Sequence, residues 1–394
     1  MPAVPESGRP LRVLLFIHSL HGGGAERVAA DLSAHWAGMG REVMVVTQAS
    51  ADGDVYTLDP RVRREVLHTA GEGGGLRGIW SNVQRVRALR RVIKAFRPDI
   101  VLGMMTTASV LSVLASTGLP CRVIATEHTH PPSQTLSGLW QRLRRLTYPR
   151  AARVVALTRG TAQWIEQHVP GSRLAVIPNP VHWPLPKGEP VLAPPVGDGR
   201  KRLLAVGRLH GDKGFDLLLQ AYARLAPSHP DWDLVILGEG DERRALEAQV
   251  REAGLRDRVS LPGRAGNVGD WYQSADLYVL TSRFEGLSNT LLESMASGLA
   301  AVAFDCDTGP REIVLEGIDG VLVRPNGDVD ALCRELAAVM GDEALRRRMA
   351  DAATAVRERF SAERVLGQWE ELLTVCARPA ARPRHTVAAV TTRT

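Results

Sequence analysis

Short apolar runs alternate with amphipathic stretches along most of this chain. Residues 11–17 predict a buried strand, followed by the glycine turn Gly22-Gly23-Gly24 and a helix over about 25–39. Further strands are predicted at 42–47, 62–67, 99–104, 121–126, 154–157 and 174–177, with helices near 81–96, 107–117, 136–148 and 159–168. This is the alternation of an open parallel sheet, whose strands are covered on both faces and read as apolar runs. The pattern breaks between 178 and 200, where there are seven prolines and no helical period. It resumes with strands at 202–206, 234–237, 259–261, 277–280, 300–304 and 320–323. Helices are expected near 213–226, 241–253 and 311–315, from Asn289 to Ala296, over 328–360 and over 362–376. Beyond Ala377, alternating Arg and Ala with Pro379 and Pro383 has the composition of a disordered tail.

The two halves therefore predict two copies of one architecture, an α/β fold of two Rossmann-like, doubly wound parallel-sheet domains. The expected division is an N-terminal domain over 1–180, a proline-rich linker over 181–200 and a C-terminal domain over 201–360. A helix over 361–377 is expected to pack back on the N-terminal domain, with the tail over 378–394. A length of 394 residues agrees with more than one core.

Composition narrows the function classes. Apolar content of 44% and charged content of 23% are ordinary for a soluble globular protein. Cys121, Cys306, Cys333 and Cys376 are scattered without metal-ligand spacing, as expected of reduced thiols in a cytoplasmic protein. The first apolar run carries Arg12 and is too short for a signal segment, and no window reaches the length of a membrane span. The net charge of +6 hides an asymmetry. Residues 1–187 hold 23 basic and 12 acidic side chains, a net of +11. That leaves 49 − 23 = 26 basic and 43 − 12 = 31 acidic residues beyond, a net of −5. The excess concentrates in 80–97 and in 139–153, the latter with Arg142, Arg144, Arg145, Arg150 and Arg153. Two readings fit: solvated helix faces, or attraction to an anionic membrane surface or lipid-linked acceptor. Aromatics are few and no DNA- or RNA-binding motif is present, so nucleic acid is not an expected partner.

Candidate chemistry lies after the predicted strands. In the second half, Ser282-Arg-Phe-Glu285-Gly-Leu-Ser288-Asn-Thr-Leu-Leu-Glu293 follows a strand and opens a helix for which Ser288 is the expected cap. Such a helix start presents free N–H groups and a positive dipole end to an anion. Gly207-Arg208-Leu209 and Lys213-Gly214 follow an earlier strand, where a guanidinium fork and an ammonium suit a diphosphate. Alone, each feature has an ordinary alternative: glycine turns are often structural, surface cations are common, and Glu near a helix start is favoured by the dipole. Gly22-Gly23-Gly24 is not a GxGxxG motif and no acidic ribose partner follows it, which disfavours a NAD-dependent dehydrogenase.

Together, Gly207-Arg208-Leu209…Lys213-Gly214-Phe215-Asp216, Leu237-Gly238-Glu239-Gly240 and Glu285…Glu293-Ser-Met-Ala-Ser-Gly298 resemble the nucleotide-sugar domain of retaining GT-B glycosyltransferases of family four. Phe304-Asp305-Cys306-Asp307-Thr308-Gly309-Pro310-Arg311-Glu312-Ile313 resembles the amylovoran-type subgroup that assembles bacterial exopolysaccharides. The resemblance implies two domains facing each other across a cleft, and a transfer from a nucleotide sugar, UDP by analogy, to a saccharide or lipid-linked saccharide. It implies that Arg208 and Lys213 neutralise the donor diphosphate, that Glu285 holds donor-sugar hydroxyls and that Glu293 receives the ribose hydroxyls. The N–H groups of Gly286, Leu287 and Ser288 would face sugar and phosphate, the backbone at Gly263 and Arg264 would meet the base, and Gly23 and Gly24 would approach the diphosphate. His128 would lie near the reacting sugar, with His130 a poorer candidate. No metal or other cofactor is implied, and Asp52-Gly-Asp54 and Asp305-Cys-Asp307 are taken as chance DxD sequences. A nucleotide-sugar epimerase of the same architecture and a non-catalytic polysaccharide-assembly component remain as alternatives.

Overall fold

The computed structural model describes residues 9–69, 75–195 and 199–377, without the side chains of 75–79. Thirteen strands among these residues form two parallel sheets. The first holds β1 (Arg12–Ile17), β2 (Glu42–Thr47), β3 (Arg63–Val66), β4 (Ile100–Gly103), β5 (Arg122–Glu127), β6 (Arg153–Ala156) and β7 (Leu174–Val176), in the order β3-β2-β1-β4-β5-β6-β7. The second holds β8 (Lys201–Val206), β9 (Trp232–Leu237), β10 (Val259–Gly263), β11 (Leu277–Leu280), β12 (Ala301–Phe304) and β13 (Gly320–Val323), in the order β10-β9-β8-β11-β12-β13. Offset by seven, the second order repeats the first. Each sheet reverses direction of growth beside its first strand, between β1 and β4 and between β8 and β11. In doubly wound sheets that switch point opens a crevice at the strand C-termini.

The apolar runs became strands because both faces of each sheet are covered. In β1, Val13, Leu15 and Ile17 enter one core while Leu14 and Phe16 enter the other, and all are buried. In β9, Leu234 and Ile236 face one side and Val235 and Leu237 the other. The helix Ala362–Ala377 completes the first domain's core rather than the second's. Trp369 meets Trp36 edge-on with ring centroids 6.4 Å apart, and Arg41 pairs with Glu370. The chain crosses between domains twice, at the linker and just before this helix, and the crossings touch where Val181 N–H donates to the Phe360 carbonyl at 2.8 Å.

Several elements differ from expectation. The helix expected from 213 starts at Phe215, because Gly214 turns into the left-handed region (φ 62°) against the Thr281 carbonyl. The stretch 328–360 is three helices, Val329–Gly341, Glu343–Ala353 and Val356–Arg359, with extended Asp342 breaking the run and capping the second through Leu345 N–H. The helix Val268–Gln273 was not foreseen; six residues span too little for an apolar period to register. The tail expected to be disordered lies outside the described residues.

Candidate functional site

Loops that follow the strands of one sheet meet those of the other, and the switch points lie in the contact. After β11, Glu285 carries a largely buried carboxylate. Its Oε1 accepts from Lys213 Nζ at 2.7 Å and from Ser282 Oγ at 2.7 Å. Lys213 belongs to the loop after β8, which is fastened to the β11 loop. Thr281 Oγ1 donates to the Lys213 carbonyl at 3.0 Å, Arg283 N–H donates to the Asp212 carbonyl at 2.8 Å, and the Arg283 guanidinium grips both oxygens of Asp216. Burial acts to lower the Lys213 pKa, but the Glu285 carboxylate and Asp212 outweigh it and hold the ammonium above its ordinary value. Arg208, exposed on the same loop, works against that rise, as a neighbouring like charge must. Two cations and one carboxylate therefore share one mouth.

The helix Asn289–Ala296 opens beside them. Ser288 is its cap, with Oγ accepting from Leu291 N–H at 3.4 Å. Among the described residues, the N–H groups of Gly286, Leu287 and Ser288 donate to no protein acceptor. The Leu287 side chain points into the core, so only its backbone faces the crevice. Gly286 is a glycine for a visible reason: a Cβ there would run into the His128 carbonyl of the other domain.

Opposite, β5 delivers Glu127 and His128. Glu127 is fully buried and held by four side chains: Tyr148 OH and Arg144 Nη1 at Oε1, and Thr106 Oγ1 (2.7 Å) and Gln134 Nε2 (3.1 Å) at Oε2. Burial raises its pKa, with Arg144 the chief opposing influence. His128 beside it has a buried Nδ1 that meets no partner, and burial lowers the imidazole to a pKa of about 4, so it is neutral near pH 7. His130 is lowered by burial too, against Asp307, and its Nδ1 lies 3.4 Å from Thr161 Oγ1. Gly24 brings the glycine turn of β1 to the same seam; a Cβ on it would lie 2.8 Å from Asn289 Nδ2. Gly23 precedes it as the residue before the helix Gly24–Gly38. Tyr56 is partly buried beside this turn, and burial raises its pKa.

Glu293, one helical turn inside its helix, does not face empty space. Its Oε1 accepts from Arg27 Nη1 of the first domain at 2.7 Å, and its Oε2 from Tyr272 OH at 3.4 Å. Burial raises its pKa, and Arg27 is the first of the influences that oppose the rise. Arg27, Tyr272, Tyr56 and Asn289 are the cleft residues that the sequence motifs did not single out. Arg27 and Asn289 had a local signal, since Arg27 follows Gly22-Gly23-Gly24-Ala25-Glu26 directly and Asn289 follows the expected cap Ser288. Gly263 ends edge strand β10 and Arg264 follows it. There Gly263 adopts φ 108° near Glu239, and Arg264 Nη2 reaches the Glu189 carbonyl at 3.4 Å. A second seam lies past β6 and β12, where Glu312 accepts from the N–H groups of Arg159 and Gly160 at 2.8 and 3.1 Å.

The basic segment 139–153 is not one uniform face. Arg144 is buried against Glu127 and over the Trp164 ring, whereas Arg142, Arg145 and Arg150 are exposed. Neither DxD sequence offers two waiting carboxylates: Asp305 is held by Arg311 and Arg324, and Asp54 by Arg64.

Two family models match the chain. "Glycosyltransferase Family 4" spans residues 22–182 and "Glycosyl transferases group 1" spans 193–356. An exopolysaccharide phosphotransferase of Streptomyces coelicolor is 36% identical over 75% of this chain, which spans only 30% of that protein's length. The amylovoran biosynthesis glycosyltransferase AmsD of Erwinia amylovora is 27% identical over 92% of this chain and 99% of its own. A diphospho-undecaprenol-saccharide alpha-1,4-N-acetyl-D-galactosaminyltransferase of Campylobacter jejuni is 25% identical over 92% and 98%. Among solved structures, sucrose-phosphate synthase of Thermosynechococcus elongatus superposes with a TM-score of 0.80 at 19% identity, covering 93% of this chain and 98% of that one. Anabaena HepE in complex with UDP and glucose gives 0.77 at 21%, covering 92% and 99%. These structures share the fold, and the sequence matches extend across both domains. The chain belongs to the family-four, group 1 glycosyltransferases of the GT-B fold.

Proposed function

We propose that the protein transfers a sugar, with retention at the anomeric carbon, from a UDP-sugar to a saccharide or lipid-linked saccharide in the assembly of a bacterial polysaccharide. The observation that carries this reading is the convergence of Lys213, Arg208, Glu285 and the undonated N–H groups of Gly286 to Ser288 at one switch point. A diphosphate entering there exchanges Glu285 for phosphate oxygens as the counter-charge of Lys213 and meets Arg208 and the helix start as well. The Glu285 carboxylate, relieved of the ammonium, accepts from hydroxyls of the donor sugar. Charge that develops on the departing diphosphate falls where donors already point, which is the arrangement that lowers such barriers by several kcal/mol. His128, neutral and across the seam from Gly286, hydrogen-bonds the sugar without contributing charge. An acceptor hydroxyl attacks from the face of the departing phosphate, whose oxygen takes its proton. No step in this scheme calls for a metal, since the cations and the helix start serve the leaving group.

The AmsD and undecaprenol-linked relatives support the polysaccharide and lipid-linked acceptor classes, and the UDP complex of HepE supports the donor class. The helix Gly138–Thr147 supports a membrane-borne acceptor: Leu139 and Leu146 are exposed on it beside Arg142 and Arg145, the pairing of apolar and cationic side chains that suits an anionic bilayer surface. No helix among the described residues is long and apolar enough to cross a membrane.

The test is a screen of nucleotide sugars for hydrolysis and thermal stabilisation, followed by acceptor trials with the best donor. Retention predicts an alpha-linked product from an alpha-configured donor; a beta linkage by NMR, or activity abolished by chelator, refutes the corresponding part of the mechanism.

A further inference from the structure

The ion pair between Arg27 and Glu293 joins residues 266 positions apart and crosses the cleft. Arg27 stands in the first turn of the helix Gly24–Gly38, and its side chain is 22% exposed against 10% for Glu293. Further contacts surround it, one across the same gap and one from the linker to the Arg27 helix. Asn179 Nδ2 donates to Asn289 Oδ1 at 2.9 Å, and His182 Nε2 of the linker lies 2.8 Å from Asp31 Oδ2 on the Arg27 helix. Asn179 is almost fully buried, and its Oδ1 meets no partner. A carboxylate has roughly four acceptor positions. Arg27 uses one on Oε1 and Tyr272 one on Oε2, so Glu293 retains one on each oxygen. Two adjacent acceptors held rigidly match two adjacent hydroxyls.

We propose that Arg27 is a cross-domain positioning residue, whose guanidinium orients the Glu293 carboxylate to receive the vicinal hydroxyls of the donor's ribose, so that donor binding and closure of the two domains are coupled through one ion pair. This rests on the reading of Glu293 as the ribose acceptor. Arg27 need not touch the donor. It fixes the torsion of Glu293, and it counters the burial that raises the carboxyl's pKa, leaving both oxygens as acceptors. Linkage then works in both directions: a closed cleft improves the ribose site, and an occupied ribose site favours closure by the same factor. A carboxylate released from Arg27 keeps only Tyr272 and turns more freely.

The experiment measures dissociation constants by calorimetry for UDP and for 2′,3′-dideoxy-UDP, with the wild type, Arg27→Ala and Arg27→Lys. Circular dichroism and melting curves check the fold of each variant. The wild type is expected to prefer UDP over the dideoxy form. Arg27→Ala is expected to weaken UDP by about tenfold, the scale of a lost charge-assisted hydrogen bond, and the dideoxy form by less than twofold. Arg27→Lys should recover part of the preference, which a merely structural loss would not. A wild type that holds both ligands equally, or neither, removes the ribose role of Glu293 and this proposal with it. A wild type that discriminates, with Arg27→Ala discriminating just as strongly or losing both ligands alike, overturns the role of Arg27 alone. If Arg27→Ala fails to fold, Arg27→Gln and Arg27→Lys carry the same comparison, and an undiminished preference in both overturns the proposal.

Discussion

The two faces of the cleft treat charge in opposite ways. On the first domain's face, the ionisable groups nearest the seam are already satisfied or neutral. Glu127 is enclosed by Arg144, Tyr148, Thr106 and Gln134, and His128 carries no charge near pH 7. On the second domain's face, among the described residues, the Lys213 and Glu285 side chains hydrogen-bond only each other and Ser282, at the edge of solvent, with Arg208 exposed beside them. A buried, fully coordinated charge fixes local shape, because any movement strips it of partners. A partly exposed pair at a loop mouth can exchange its partner for a ligand at modest cost. Under the proposed function, shape falls to the first face and charge chemistry to the second. This division predicts that removing Arg144 from the first face costs fold, and that removing Lys213 or Glu285 from the second costs turnover.

The sharpest break is at Arg144. Arg144→Ser leaves Glu127 as a buried carboxylate without its cation, which costs about 3–5 kcal/mol of unfolding free energy, measured by urea titration. A loss under about 1 kcal/mol would mean that the network is not what holds the first face. Next comes the opposite case. Lys213→Ala and Glu285→Ala are each expected to lower turnover by at least about tenfold, toward the hundredfold losses of removed transition-state contacts, with a smaller effect on stability than Arg144→Ser. Near-wild-type rates in both would remove the second face from the chemistry.

His128 gives a smaller, pH-dependent effect. Its folded pKa of about 4 lies below the ordinary 6.5, so between those values the unfolded chain binds the proton and the native imidazole does not. Stability on its account is therefore complete above pH 6.5 and drains as pH falls toward 4. Relative to His128→Gln, the wild type should lose about 2 kcal/mol between pH 7.5 and pH 4.5 in paired denaturation curves. Parallel pH profiles for the two proteins would show that the imidazole is hydrated rather than enclosed.

How far the contrast could be read from the sequence depends on distance along the chain. The strands were legible because a parallel strand covered on both faces is a continuous apolar run, as in β1 and β9. The charged half of the candidate site was legible because Arg208, Lys213, Glu285 and Ser288 stand at strand ends within their own motifs. Arg144 was not. In the sequence it is one arginine among several, and its partner Glu127 comes from a strand 17 residues earlier. Arg27 follows a legible glycine turn, yet nothing local tells that its partner lies in the other domain. Partners brought together by the tertiary fold are invisible to periodicity.

The smallest effect separates the arginines within the helix Gly138–Thr147. Arg142 and Arg145 are exposed, near exposed Leu139 and Leu146, while Arg144 turns inward. If the outer surface of this helix meets an anionic bilayer, each exposed arginine contributes on the order of 1 kcal/mol at low salt. The double variant Arg142→Ser/Arg145→Ser should then lose roughly tenfold or more in binding to phosphatidylglycerol-containing vesicles, more at low ionic strength than at high, with its melting curve unchanged. Arg144→Ser cannot serve in that assay, because it unsettles Glu127 and with it the first face of the cleft. Unchanged vesicle binding in the double variant would mean that the exposed arginines are a solvated surface, and that this domain's excess positive charge serves solubility rather than a membrane.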